Sequence, residues 1–135
     1  MKSSKIQKIM TIKVTPIARK NPLQLERPVR YYAGKVYQGE ITMERIAKYI
    51  SNKIEFDEDD VTLVIDELLN SIQKRLEEGK IVRINDMGSL SVSLHSHPSP
   101  TPDDFSLEKI KKLKVSFKPT KSLKNKVSKF SVKKI

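Results

Sequence analysis

Two alternating runs separated by a proline-rich segment constrain this chain more than any other feature. In the first, Leu90, Val92 and Leu94 alternate with Ser89, Ser91 and Ser93; in the second, Leu113, Val115 and Phe117 alternate with Lys112, Lys114, Ser116 and Lys118. Successive side chains of a strand point to opposite faces, so each run predicts a strand with one apolar and one polar face. Antiparallel pairing places the serines and lysines together on a wet face and turns the aliphatic residues toward helices. Between the runs stand Pro98, Pro100 and Pro102, followed by Asp103, Asp104 and Phe105. The expected object is a long two-stranded arm. Upstream, IVRI followed by NDMG predicts a further strand entering a tight turn, with Asn85, Asp86 and Gly88 as turn formers.

Two helices are expected before the strands. From Thr42, the residues Met43, Ile46, Ala47 and Ile50 recur at helical spacing, giving a short amphipathic helix of about ten residues. Asp57 then caps a helix of about twenty residues, with Glu58, Asp59 and Asp60 suiting the positive end of its dipole and Gly79 able to end it in the left-handed conformation. Its apolar residues Val61, Val64, Ile65, Leu68, Leu69, Ile72 and Leu76 form a stripe wider than one short neighbour covers. Either the sheet or another subunit must cover the remainder, and a dimer is a natural solution.

Charge is partitioned along the chain. Residues 1–39 hold nine Lys/Arg against Glu26, residues 40–108 hold seven against fifteen acids, and residues 109–135 hold eleven lysines and no acid. The blocks carry +8, −8 and +11, in agreement with the net charge of +11. A neutral-to-acidic body with basic ends is either the footprint of a polyanion partner or a solvated lysine-rich surface. The absence of cysteine excludes disulfides, thiolate-ligated zinc and thiol catalysis. No apolar run approaches a membrane span, and MKSSKIQKIMTIKV lacks the uninterrupted apolar core of a signal peptide, so a cytoplasmic protein with no membrane partner is expected.

With those elements in place, residues 41 to about 127 resemble the bacterial histone-like HU and integration host factor family. The resemblance rests on LEEGKIVRINDMGSLSV, which carries Gly79, Gly88 and Leu90, and on VSFKPTKSLKNKV, which carries Phe117, Pro119, Lys121, Leu123 and Lys124. Both segments fall at the family's spacing. The segment ARKNPLQLERPVRYYAGKVYQGEIT resembles a longer HU-like subgroup in which a leader precedes the helices.

The resemblance implies an α+β, HU-like fold: two N-terminal helices, a three-stranded antiparallel sheet with an extended arm, and a short C-terminal helix, here with extra N- and C-terminal strands. The corresponding organisation is an extension over 1–40, an HU-like domain over 41–128 and a terminal strand over 129–135. The implied function is an architectural, largely non-sequence-specific double-stranded DNA-binding protein, acting in the nucleoid as a homodimer or as a heterodimer with a paralogue. Basic residues on the saddle and last helix would hold phosphates, and an arm-tip proline would wedge between base steps.

Carried over residue by residue, Lys118, Lys121 and Lys124 match the family's phosphate-facing positions around the last helix. Arg83, Lys111, Lys112 and Lys114 join them as basic residues on or near the sheet. At the tip, the family's Arg-Asn-Pro and flanking arginines are replaced by a segment with His95, His97, Asp103, Asp104 and Glu108. Pro100, Pro102 and Phe105 are therefore candidate wedges, while a rigid loop that merely joins two strands requires the same prolines. An HU-like protein–protein or assembly scaffold, and RNA binding through the same surface, are the competing readings.

Other motifs have simpler explanations. His95 and His97 share a strand face but lack a third strong ligand, so no metal site is expected. Tyr31 and Tyr32 are expected to anchor the leader on the helices rather than stack on bases, and Asp59 and Asp60 to serve the helix start. Met10, Ile12 and Val14, and near the other end Phe130 and Val132, read as edge strands that pair with each other, with Asn21-Pro22 and Arg27-Pro28 marking a crossing loop. With no Gly-rich phosphate loop and no nucleophile set beside a base, neither an enzyme, a cofactor nor a small-molecule substrate is expected.

Overall fold

The structure, a computed structural model, describes residues 10–135, so the reading of the first nine residues lies outside it. The chain is α+β, with three helices and two three-stranded sheets among the described residues. The described residues divide into two compact units, one formed by 41–125 and the other by 10–40 with 126–135.

The 41–125 unit opens with α1 (Met43–Ile54) and α2 (Glu58–Glu77). Thr42 starts α1 by accepting the Arg45 N–H on its hydroxyl at 3.2 Å, and Glu55 ends it in the left-handed region at φ 60°. Asp57 caps α2, its Oδ1 accepting the N–H groups of Asp59 at 2.9 Å and Asp60 at 3.4 Å. Each cap satisfies donors that the first helical turn leaves without partners. Gly79, at φ 79°, supplies the reversal after α2.

Three antiparallel strands follow, β3 (Val82–Ile84), β4 (Gly88–Ser96) and β5 (Ile110–Pro119), in the order β3-β4-β5. Asn85 takes φ 39° in the turn between β3 and β4, closed by the Met87 N–H donating to the Ile84 carbonyl at 2.8 Å. Gly88 is not part of that turn; it begins β4, opposite Pro119. The ladder then runs from Ser89–Lys118 to His95–Lys112, where a bulge shifts the register to Ser96–Ile110.

Beyond the bulge, the arm tip is folded rather than open. The His97 N–H donates to the Lys109 carbonyl at 2.8 Å, and Lys109 Nζ donates to Ser99 Oγ at 2.8 Å. Short 3-10 turns span Pro102–Asp104 and Leu107–Lys109, and the Thr101 hydroxyl binds Asp104 Oδ2 at 2.8 Å.

The second unit is a sheet of β1 (Thr11–Arg19), β2 (Arg30–Lys35) and β6 (Ser131–Lys134), in the order β2-β1-β6. β1 pairs antiparallel with β2 and parallel with β6. Residues 20–29 are therefore a hairpin loop between neighbouring strands, not a crossing loop, and β2 was not anticipated from the sequence. Tyr31 and Tyr32 sit on opposite faces of β2, 70% and 50% exposed. A short helix, α3 (Lys121–Val127), precedes β6.

Burial within the 41–125 unit is sparse. Ala47 and Val61 are the buried hydrophobic residues among those described, joined by Ser51, whose hydroxyl donates to the Lys48 carbonyl at 2.8 Å. The α2 stripe is split: Val61, Ile65, Ile72 and Leu76 are at least partly covered, whereas Val64, Leu68 and Leu69 are exposed, as is Leu63 beside the stripe.

Candidate nucleic-acid interface

The register assembles most of the sequence-predicted basic residues on one side of the β3-β4-β5 sheet. Arg83, Ser89 and Lys118 form one row across the three strands; Ser91 faces Ser116, Ser93 faces Lys114, and His95 faces Lys112. Residues directly opposite across a ladder lie about 4.5–5.5 Å apart at Cβ. Each β5 lysine of the face thus meets a serine or an imidazole and not another ammonium, which avoids the like-charge pairing that would weaken the sheet. The opposite side carries Val82, Leu90 and Phe117, then Val92 with Val115 and Leu94 with Leu113.

Lys111 is placed differently. It is the extra residue of the bulge, without a direct partner in the ladder, and so stands outside the regular lysine row. Lys121 and Lys124 belong to α3, three residues apart and therefore on one side of the helix.

A residue not singled out from the sequence joins α3 to the sheet. Thr120 accepts the Leu123 N–H on its hydroxyl at 3.1 Å, and the same hydroxyl donates to the Asp86 carbonyl. Its own N–H donates to the Met87 carbonyl at 3.0 Å. These bonds tie the start of α3 to the turn beside the Arg83–Ser89–Lys118 row. The sequence signal was a threonine immediately after Pro119 and before a helical run, a standard position for an N-cap.

The electrostatics separate free cations from neutralised ones. Arg75 donates to Glu78 Oε1 at 2.7 Å and Lys80 lies 3.0 Å from Oε2; the Lys80 bond, aided by Arg75, holds the Glu78 carboxyl below its ordinary range. These are the ion pairs among the described residues, so Arg83, Lys111, Lys112, Lys114, Lys118, Lys121 and Lys124 have no carboxylate partner. The face offers cations and short hydroxyl donors, a combination suited to phosphate oxygens. Pro100, Pro102 and Phe105 are exposed at the far end of the arm, in the same loop as Asp103, Asp104 and Glu108.

Residues 10–134 match the family described as an HU domain fused to wHTH, Ig, or Glycine-rich motif, HU-HIG. The chain belongs to the HU-HIG family. Among solved structures, a provisionally assigned bacterial DNA-binding protein from Bacteroides vulgatus aligns with 93% of this HU-HIG chain at 12% identity and a TM-score of 0.65. The match takes in 48% of that protein, so the present chain spans about half its length. An Anabaena HU–DNA cocrystal structure aligns with 66% of the chain and 99% of its own at 14% identity and a TM-score of 0.52. An HU mutant from Thermotoga maritima is 25% identical over 64% of this chain and 99% of its own, with a TM-score of 0.49. The first two likenesses establish the fold. No curated protein matches the HU-HIG chain.

Proposed function

We propose that this HU-HIG protein is a non-catalytic, architectural double-stranded DNA-binding protein that acts as a dimer. The observation that carries the reading is the unneutralised polar sheet face, where Arg83, Lys112, Lys114 and Lys118 are interleaved with Ser89, Ser91, Ser93 and Ser116. Lys121 and Lys124 extend it along α3, and Lys111 adds charge at the bulge. Membership of an HU-containing family supports the same assignment.

Lysine and serine bind phosphate oxygens without reading base edges, so the expected binding is weakly sequence-selective and strongly salt-dependent. The dimer is supported by the open apolar half of α2, and the domain proposed to carry the activity covers residues 41–128. The partner is duplex DNA and the setting the nucleoid; neither cofactor nor small-molecule substrate enters the reading.

A salt series of duplex binding tests the assignment. Affinity should fall steeply with salt, and Lys121→Ala and Lys124→Ala should each lower the log–log salt slope by about 1 on unrelated sequences alike. Binding that is absent at low salt, or insensitive to salt, would leave an assembly scaffold as the better account. A changed sequence preference in either variant would contradict the phosphate role.

A further inference from the structure

The β1–β2 hairpin carries a second cationic site with its own chemistry. Arg19 and Arg30 are direct cross-strand partners, a like-charge pairing that opposes strand association at the mouth of the hairpin. Tyr32 lies on the same face, with the Arg19 guanidinium 5.7 Å from its ring centroid. The loop between the strands adds Lys20 and Arg27, and together these five residues line an open recess of about 470 Å3. That volume falls within the range of small-ligand sites.

The recess has a defined frame. Asn21 Oδ1 accepts the Leu23 N–H at 3.0 Å, the Asn21 carbonyl accepts the Gln24 N–H at 3.1 Å, and the Gln24 carbonyl accepts the Arg27 N–H at 3.1 Å. Successive turns therefore hold Lys20 and Arg27 near the hairpin mouth. Glu26 lies in the same loop and lines an adjoining concavity with Leu23, Leu25 and Arg27, the last of which lines both. None of the four cations has a carboxylate partner among the described residues.

We propose that this recess binds one or two nucleotides of a single-stranded nucleic acid, with the guanidinium and ammonium groups on phosphate oxygens and Tyr32 against a base. Arginine presents a planar fork that matches phosphate geometry. Anion binding relieves the Arg19–Arg30 repulsion, and neither arginine has a carboxylate within ion-pair distance among the described residues. Concavity selects the single strand: duplex phosphates lie on a convex surface with the bases turned inward, whereas an unpaired nucleotide offers phosphate and base face together. The site lies outside the 41–125 unit and goes beyond the duplex-binding assignment.

Fluorescence anisotropy on the full chain tests this with a labelled oligothymidylate of about ten nucleotides and a separate random-sequence duplex. Lys20→Gln with Arg27→Gln should reduce oligothymidylate affinity about tenfold at low salt and lower its salt slope by about 1.4, the counterion release of two single-strand phosphate contacts. Tyr32→Leu should reduce the same affinity at least about fivefold through lost stacking. Both should leave duplex affinity within about twofold. These residues are exposed, and circular dichroism with thermal melting verifies that the variants remain folded. Unchanged oligothymidylate affinity in the folded double variant would overturn the proposal, as would a parallel loss of duplex binding, which would make the recess part of a duplex interface.

Discussion

Gly88 begins β4 where β5 comes too close for any side chain. A Cβ built there would lie 2.6 Å from the Lys118 carbonyl oxygen and 2.6 and 2.8 Å from Phe117 ring atoms. The carbonyl belongs to the neighbouring backbone and cannot rotate away, so Gly88→Ala should destabilise the protein by about 1–3 kcal/mol through forced displacement of β5. Chemical denaturation checks this; an unchanged midpoint would mean that the strands separate without cost. The same residue shows what a sequence can disclose. The local run NDMG points to a turn role for this glycine, which Asn85 fills instead, because close approach of a strand thirty residues away leaves no local signature. Asp57 and Gly79 were legible because capping and left-handed reversal act within a few residues of their own position.

Among the elements, the arm most clearly separates architecture from use. Strict alternation made both strands and their polar face readable, and the observed ladder joins them in that sense. The tip was ambiguous because prolines suit a wedge and a loop equally. Internal bonds, Lys109 to Ser99 and Thr101 to Asp104, close the loop at the end of the arm. Asp103, Asp104 and Glu108 would also meet repulsion in the negative minor groove. Replacing Pro100 and Pro102 together with alanine should accordingly leave DNA bending unchanged, as measured by energy transfer between dyes at the ends of a short duplex. A substantially smaller bend in the double variant would identify the prolines as wedges. The hairpin of the other unit was less legible: β2 is short, contains Gly34 and follows a loop rich in proline and charge, so its alternation was too brief to separate it from a leader.

At the scale of the whole molecule, the chain is long enough for a sizeable core, yet the described residues bury little beyond Ala47 and Val61. The missing burial is concentrated in recognisable places. Leu63, Val64, Leu68 and Leu69 are exposed on α2, and Leu94, Leu113 and Val115 on the apolar side of the sheet are each more than 60% exposed. Removing a Leu or Val side chain from water contributes about 1.5–3 kcal/mol, so a second copy covering these surfaces would supply a large stabilisation that one chain lacks. The wide α2 stripe signalled this need in the sequence, but could not separate residues covered internally from those left for a partner. In the proposed dimer, sedimentation equilibrium should give twice the 15.5 kDa chain mass at micromolar concentration. Val64→Asp and Leu68→Asp, each placing a charge on the open side of α2, should shift the protein toward monomer and lower its melting temperature. If both variants remain dimeric with unchanged melting, the α2 surface is not the interface, and the apolar side of the sheet becomes the surface to mutate next.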